Sequence, residues 1–258
     1  MKFALMWFLF MAVTAWSANA TEPVPFCVGE KLTYDILWGP LVAGHATLMV
    51  AGIEKVDGQD CYHIIGQAQT SGVVDLLYHV ESKIETWLDT TGFFTRRFLQ
   101  ARREGKHRTA EDSRYDYVSG QVVTTNLISG RVQTSALTGP EQDVLSVFYF
   151  LRTQPLLLNY DSRLPVNLTG KHYDVAARPD QRKTLYFRPI GDISALRIEP
   201  NPTLNIVASG GGRMWFWISD DVRKLPLMLV TQMKYGTIKL VFAGIEAVAS
   251  SKQILTKH

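Results

Sequence analysis

EKLTYDILWGPLVAGHATLMVAGIEKVDGQDCYHIIGQAQT, residues 30–70, decides the fold. Three runs dense in β-branched and aromatic residues, 30–38, 45–56 and 61–70, are separated by GPLVAG and DGQD. Asp57-Gly58 is a hairpin signal, because glycine tolerates the positive φ that a tight turn requires. The stretch therefore predicts an antiparallel meander. The same rhythm continues at 79–89, 93–102, 109–118 and 121–126. It resumes in RVQTSAL, LPVNLT, HYDVAA, KTLYFRP, ALRIEP, RMWFWIS, LPLMLVTQM and GTIKLVFAGIEAV. There is no sequence repeat, low-complexity tract or long linker, and residues 21–258 suit a single β-rich domain.

One segment departs from that rhythm. In GPEQDVLSVFYFLRTQ (139–154), Pro140 suits a first helical position, and Glu141 and Asp143 favour the positive end of a helix. Val144, Phe148 and Leu151 share a face, and Arg152 falls in the last turn. The pattern predicts one amphipathic helix over about 140–153, packed on or in a large curved antiparallel sheet or half-open β-barrel. SGVVDLLYH (71–79) predicts a second, shorter helical turn.

At the N-terminus, Lys2 precedes an apolar stretch from Phe3 to Trp16 and the small-residue pattern Ala18-Asn19-Ala20. This reads as a cleavable signal peptide over residues 1–20, cut after Ala20, and it predicts export to the periplasm. The apolar stretch is short for a membrane span, and no later one is longer, so the mature chain is not expected to be an integral membrane protein. Phe26 before Cys27 violates the small-residue requirement of lipoprotein processing. The net charge of +3, with 27 Lys and Arg against 24 Asp and Glu, makes no electrostatic case for nucleic acid.

Export also permits the only two cysteines, Cys27 and Cys61, to pair. Against pairing, a meander places them beside strands two apart, about 9–10 Å, beyond the roughly 7 Å Cα limit of a disulfide. A loop before the first strand would have to fold inward to close that gap.

Candidate chemistry is sparse. In WFWISDDVRKLP (215–226), Asp220 and Asp221 read as a hairpin turn, with a carboxylate dyad or metal site as the competing reading. The six histidines show no metal-ligand spacing, and Ser146 lacks a G-x-S-x-G elbow. SGGGR (209–213) lacks the lysine and helix of a phosphate loop and reads as a loop before a strand. Tyr78, His79 and Glu81 form a polar group at a strand start. Arg96, Arg97, Arg102 and Arg103, in RRFLQARREGKHR (96–108), are candidates for an anionic surface, against the plainer reading of a solvated hairpin. Abundant aromatics fill a core or line a cavity for an apolar ligand; Trp38, Trp87, Trp215 and Trp217, with Phe148, Tyr149 and Phe150, could line it, and Trp38, Tyr149, Trp215 and Trp217 are the candidate ligand-binding residues.

Taken together, VGEKLTYDILWGPLVAGHATLMV, DVLSVFYFLR, WFWISDDVRKLPLMLV and YGTIKLVF resemble exported bacterial proteins grouped as domain of unknown function 3108. Asp143, Ser146, Tyr149, Arg152, Trp217, Asp220, Asp221, Arg223 and Pro226 match that pattern. The resemblance implies a β-rich fold and a Gram-negative cell envelope, and it carries over no catalytic residue, cofactor or metal. The reading that follows is a non-enzymatic periplasmic carrier of a lipid or other apolar envelope component. An envelope interaction or scaffold module, using a sheet edge or the 96–108 hairpin, is the alternative. A hydrolase using Asp220 or Asp221 has the least support.

Overall fold

The computed structural model describes residues 24–168, 170–200, 212–234 and 236–246. The proposed leader, its cleavage site and most of the SGGGR loop lie outside the described residues. In chain order the elements are β1 (Lys31–Trp38), β2 (Leu41–Val56), β3 (Gln59–Thr70), α1 (Gly72–Leu77), β4 (Val80–Asp89), β5 (Thr95–Glu104), β6 (His107–Asp116), β7 (Gln121–Asn126) and β8 (Val132–Ala136). They continue with α2 (Ser146–Thr153), β9 (Ser162–Leu168), β10 (Lys171–Phe187), β11 (Gly191–Pro200), β12 (Met214–Ser219), β13 (Pro226–Met233) and β14 (Gly236–Glu246). Asp57 and Gly58 both take positive φ, as the β2–β3 hairpin turn requires.

All fourteen described strands form one antiparallel sheet in the order β8-β7-β6-β5-β4-β3-β2-β1-β14-β13-β12-β11-β10-β9. The first and last strands meet in the middle, Lys31 opposite Glu246 and Trp38 opposite Ile238. The two edges are therefore consecutive in sequence, and the chain passes from β8 to β9 through the interior of the curved sheet. No ladder joins the edges among the described residues, although the chain just after β8 approaches the start of β10 beside edge β9, where Thr138 Oγ1 lies 3.4 Å from His172 Nδ1. The predicted half-open architecture is the one observed.

That crossing segment differs from the predicted helix. Residues 140–145 are not helical. Gln142 pairs with edge strand β9, its N–H donating to Pro165 O at 2.8 Å and its carbonyl accepting from Asn167 N at 2.7 Å. The reason is local satisfaction of backbone groups: Glu141 O accepts from Thr95 N, so residues 141–142 stitch β9 to the start of β5. Asp143 then opens the helix, its Oδ1 accepting from Leu145 N and Ser146 N at 2.7 and 2.9 Å. Its Oδ2 accepts from Thr86 and Thr95 hydroxyls at 2.5 and 2.7 Å. Burial pushes the Asp143 carboxyl up, and those donors oppose the rise.

α2 is apolar on two faces because it is surrounded. Leu145 and Tyr149 pack with Phe26, Val50, Ile64 and Leu88 on one side, and Leu151 packs with Leu164, Val166 and Ile198 on the other. Its C-terminal turn is anchored by Arg152, 1% exposed. The guanidinium donates to Glu30 Oε1 and Oε2 at 2.6 and 2.9 Å, to Pro25 O at 2.7 Å and to Arg223 O at 3.2 Å. The rings of Phe26 and Tyr149 flank it at 5.4 and 5.5 Å. Segments HYDVAA and KTLYFRP, read as two strands, are the single strand β10. It bends where the register shifts between Pro179 and Gln181, since proline cannot donate to the ladder.

The cysteines are free. Cys61 packs with Val56, Trp87 and Leu99, whereas Phe26, beside Cys27, packs with Tyr62 and Ile64 on the opposite face of β3. The N-terminal segment does fold inward, but to the other side of the sheet. This corrects the disulfide alternative. Burial also pushes the Cys61 thiol up to about 11, which leaves little thiolate for exchange.

Arg152→Ala should cost about 3–5 kcal/mol, because it strands Glu30 in the interior, and should lower Tm by about 6–20 °C. The double variant Arg152→Met with Glu30→Leu should recover part of that loss in the same thermal melt, since the carbonyls of Pro25 and Arg223 still lose their donor. A thiol reagent added without reductant should titrate both cysteines in the denatured protein, and a zero count would mean that they pair.

Candidate functional site

Two apolar cavities flank the ring of Phe148 on α2. One, about 220 Å³, lies against β1–β4, with Tyr34, Leu48, Ala68 and Ile84 in its wall. The other, about 210 Å³, lies against β9–β12, with Leu164, Val175 and Met214 in its wall. Val144, Phe148, Phe216 and Leu229 border both. The partition is the edge-to-face pair of Phe148 and Phe216, with centroids 5.6 Å apart. Each cavity is small beside the roughly 300–1,000 Å³ of an ordinary ligand pocket, and joined they reach the lower end of that range.

Period-2 alternation explains which rings reach this space. In β12, Phe216 and Ile218 pack with α2 and its surroundings, so Trp215 and Trp217 belong to the other face. Trp217 is buried among Phe187, Ala195, Leu225 and Leu227, and Trp215 lies under the Arg213 guanidinium at 5.9 Å. Tyr149 is packed edge to face on Phe26 at 5.0 Å, and its hydroxyl has no partner among the described residues. Trp38 stands 44% exposed at the end of β1. None of the four candidate ligand-binding residues borders either cavity. The lining is instead Tyr34, Phe148, Phe216 and mainly aliphatic side chains; of these, the sequence reading names Phe148 among the aromatics that could line a cavity and misses Tyr34 and Phe216.

The candidate anionic-surface residues divide. Arg96 donates to Asp89 at 2.7 Å and lies over Phe94 and Tyr117. Arg97 grips Asp112 through two 2.9 Å hydrogen bonds and lies 4.7 Å over Trp87. Both are engaged by their own sheet. Arg102 pairs with Glu104, and Arg102 and Arg103 are exposed near the β5–β6 turn.

Asp220 and Asp221 are turn carboxylates. Asp221 accepts from the Ser219 hydroxyl at 2.7 Å, from Arg223 N and Lys224 N at 3.1 and 3.2 Å, and from the Arg223 guanidinium. Burial pushes its carboxyl up, but the Arg223 and Ser219 donors outweigh it and hold the pKa below the usual carboxylate range. Asp220 pairs with Arg182 at 2.7 Å. Both oxygens of Asp221 and Oδ2 of Asp220 are thus engaged, as the hairpin-turn reading expects. His79 is tied to Asp75 of α1 at 2.7 Å.

On the outer face, His63 bridges Glu54 and Glu85 at 3.0 and 2.9 Å and stacks on Trp87 at 4.5 Å. Sequence reasoning missed this group; its signal was the alternation that puts His63, Glu54 and Glu85 on one face of neighbouring strands. The indole N–H of Trp87 donates to Glu54 and is the largest influence holding that carboxyl below its ordinary range. No group of three metal-ligating side chains suited to an ion occurs among the described residues. No described helix is long and apolar enough to cross a membrane.

The crystal structure of a beta-barrel-like protein of domain of unknown function DUF1849 from Brucella abortus is similar in fold, with a TM-score of 0.56. The similarity covers 86% of this chain and 98% of that one at 8% sequence identity, so it is a likeness of fold alone. No curated protein matches the sequence. The family described as "Protein of unknown function (DUF3108)" matches residues 33–243, which take in β1 through nearly all of β14. On that match over most of its length, the chain belongs to the DUF3108 family.

Proposed function

We propose that this protein is a non-enzymatic, exported carrier or binder that holds the acyl or other apolar part of an envelope component beside Phe148. The observation that carries the reading is the pair of largely carbon-lined cavities that meet at Val144, Phe148, Phe216 and Leu229. An apolar chain entering such a space gains about 0.8 kcal/mol per buried methylene and needs no polar partner. The signal-type sequence at residues 1–20 supports delivery to the periplasm. A fold shared with another protein cannot supply a function, so the proposal rests on the interior and on the signal-type sequence.

A scaffold role has one structural feature in its favour. Edge strand β8 is exposed at Val132, and five of its residues are paired on one side only. An extended partner could add there by strand pairing. The other edge is less available, because Gln142 already occupies part of β9.

Native mass spectrometry of the chain from Thr21, purified from periplasm without detergent, should show a discrete added mass extractable as a lipid or hydrophobic metabolite. Ala68→Phe, which places a ring in the first cavity, should abolish that mass and weaken an environment-sensitive apolar probe by about tenfold or more, as expected if about 2 kcal/mol of apolar burial is lost. A clean apo mass together with no probe binding would end the carrier reading and leave strand addition at β8 as the next measurement.

A further inference from the structure

The turns β1–β2, β3–β4 and β5–β6 all lie at one end of the sheet, opposite the end sealed by Arg152. They form a continuous rim. Ser71 N donates to Ala43 O at 2.9 Å, which seats α1 beside the start of β2. On the other flank, Gly105 N donates to His79 O at 2.8 Å, and a Cβ on Gly105 would meet the Tyr78 ring at 3.6 Å.

This rim has an unusual surface. α1 buries none of its residues: Val73, Leu76 and Leu77 are 74, 87 and 78% exposed. Leu41 and Val42 stand exposed on one side, and Trp38 and Tyr78 are half-exposed at the borders. Beyond Tyr78, the β5–β6 hairpin presents Arg102, Arg103, Lys106 and Arg108. Of these, Arg103, Lys106 and Arg108 have no ion-pair partner among the described residues, whereas Arg102 is paired with Glu104. The acids nearby are Glu104, Asp75, which accepts from Thr70 and His79, and Glu81, 3.9 Å from His79 Nε2.

We propose that this rim docks the protein on the surface of an anionic phospholipid bilayer, with α1 and Leu41 and Val42 at the start of β2 entering the headgroup boundary and the β5–β6 cations against lipid phosphates. The inference rests on the carrier reading and names the surface at which its ligand is exchanged. Charge and position both favour a bilayer over a protein partner. Exposed aliphatic side chains on two separate turns, aromatic rings at their border and unpaired cations alongside match the layering of a membrane interface. The centre of a protein interface is instead depleted of charge.

Position adds a second argument. The first cavity runs along inner positions Ala46 and Leu48 of β2, Gly66 and Ala68 of β3 and Ser82 and Ile84 of β4, between α2 and this rim. The alternation of β1 puts Trp38 on the same face as Tyr34, which borders the cavity. An apolar chain leaving a bilayer at the rim therefore has a short apolar path inward.

The test is co-sedimentation of residues 21–258, which retain every described element, with vesicles of phosphatidylglycerol and phosphatidylcholine against vesicles of phosphatidylcholine alone. Binding should require the anionic lipid and fall with added salt. Leu76→Ser with Leu77→Ser, and separately Lys106→Glu with Arg108→Glu, should each weaken it by about tenfold or more. All four side chains are exposed, so thermal melts should be unchanged. Failure of the unaltered chain to sediment, or equal binding by both variants, overturns the inference, including the case in which these variants instead lose a protein partner. Apolar-probe binding measured without vesicles separates the two readings. A probe bound without vesicle docking removes only the rim proposal, and docking without a probe site removes the carrier reading on which it rests.

Discussion

The buried pair of Arg152 and Glu30 is the constraint around which the rest of the protein is arranged. Its partners lie 122 residues apart, and its remaining donors reach the carbonyls of Pro25 and Arg223. One guanidinium thus ties together the approach to the first strand, the last turn of the interior helix and the β12–β13 hairpin. Taking both charges out of water is costly, and the bidentate geometry with two further carbonyl acceptors is what offsets it. An aliphatic residue would fill the space but could not satisfy those carbonyls.

This knot gives the sheet two unlike ends. At the sealed end, Arg152, Glu30, Phe26 and Tyr149 fill the interior, and Lys224 Nζ donates to Gln154 O to tie the helix end to the β12–β13 turn. Toward the other end the interior is lined by small and aliphatic residues and left partly empty. The asymmetry follows from a short plug in a long trough. α2 has eight residues, about 12 Å of helix, whereas β2 and β10 have 16 and 17 residues.

The polar crossing from β8 into α2 serves the same design. Glu141, Gln142 and Asp143 are all buried; Glu141 and Gln142 meet polar groups from both sides of the trough, and Asp143 accepts from the Thr86 and Thr95 hydroxyls on one side. A segment that must pass through an apolar interior needs such partners for its own amides. Meeting them shortens the helix that acidic residues at 141 and 143 predict, because those side chains are spent on cross-links and on one cap. The helix begins where the cross-links end.

Alternation, glycine turns and one amphipathic run made the strands, the hairpins and the interior helix legible from residue order alone, because each depends on neighbours a few positions away. The turn role of Asp220 and Asp221 was legible for the same reason. The tertiary structure alone decided that β1 pairs with β14, that HYDVAA and KTLYFRP are one bent strand, and that Cys27 and Cys61 face opposite sides of the sheet. It also decided that Phe148 and Phe216 border the cavities while Trp215 and Trp217 pack elsewhere. A period of two states which residues share a face, but which face becomes the interior is set by curvature and by the helix lodged within it, and both depend on contacts more than a hundred residues apart.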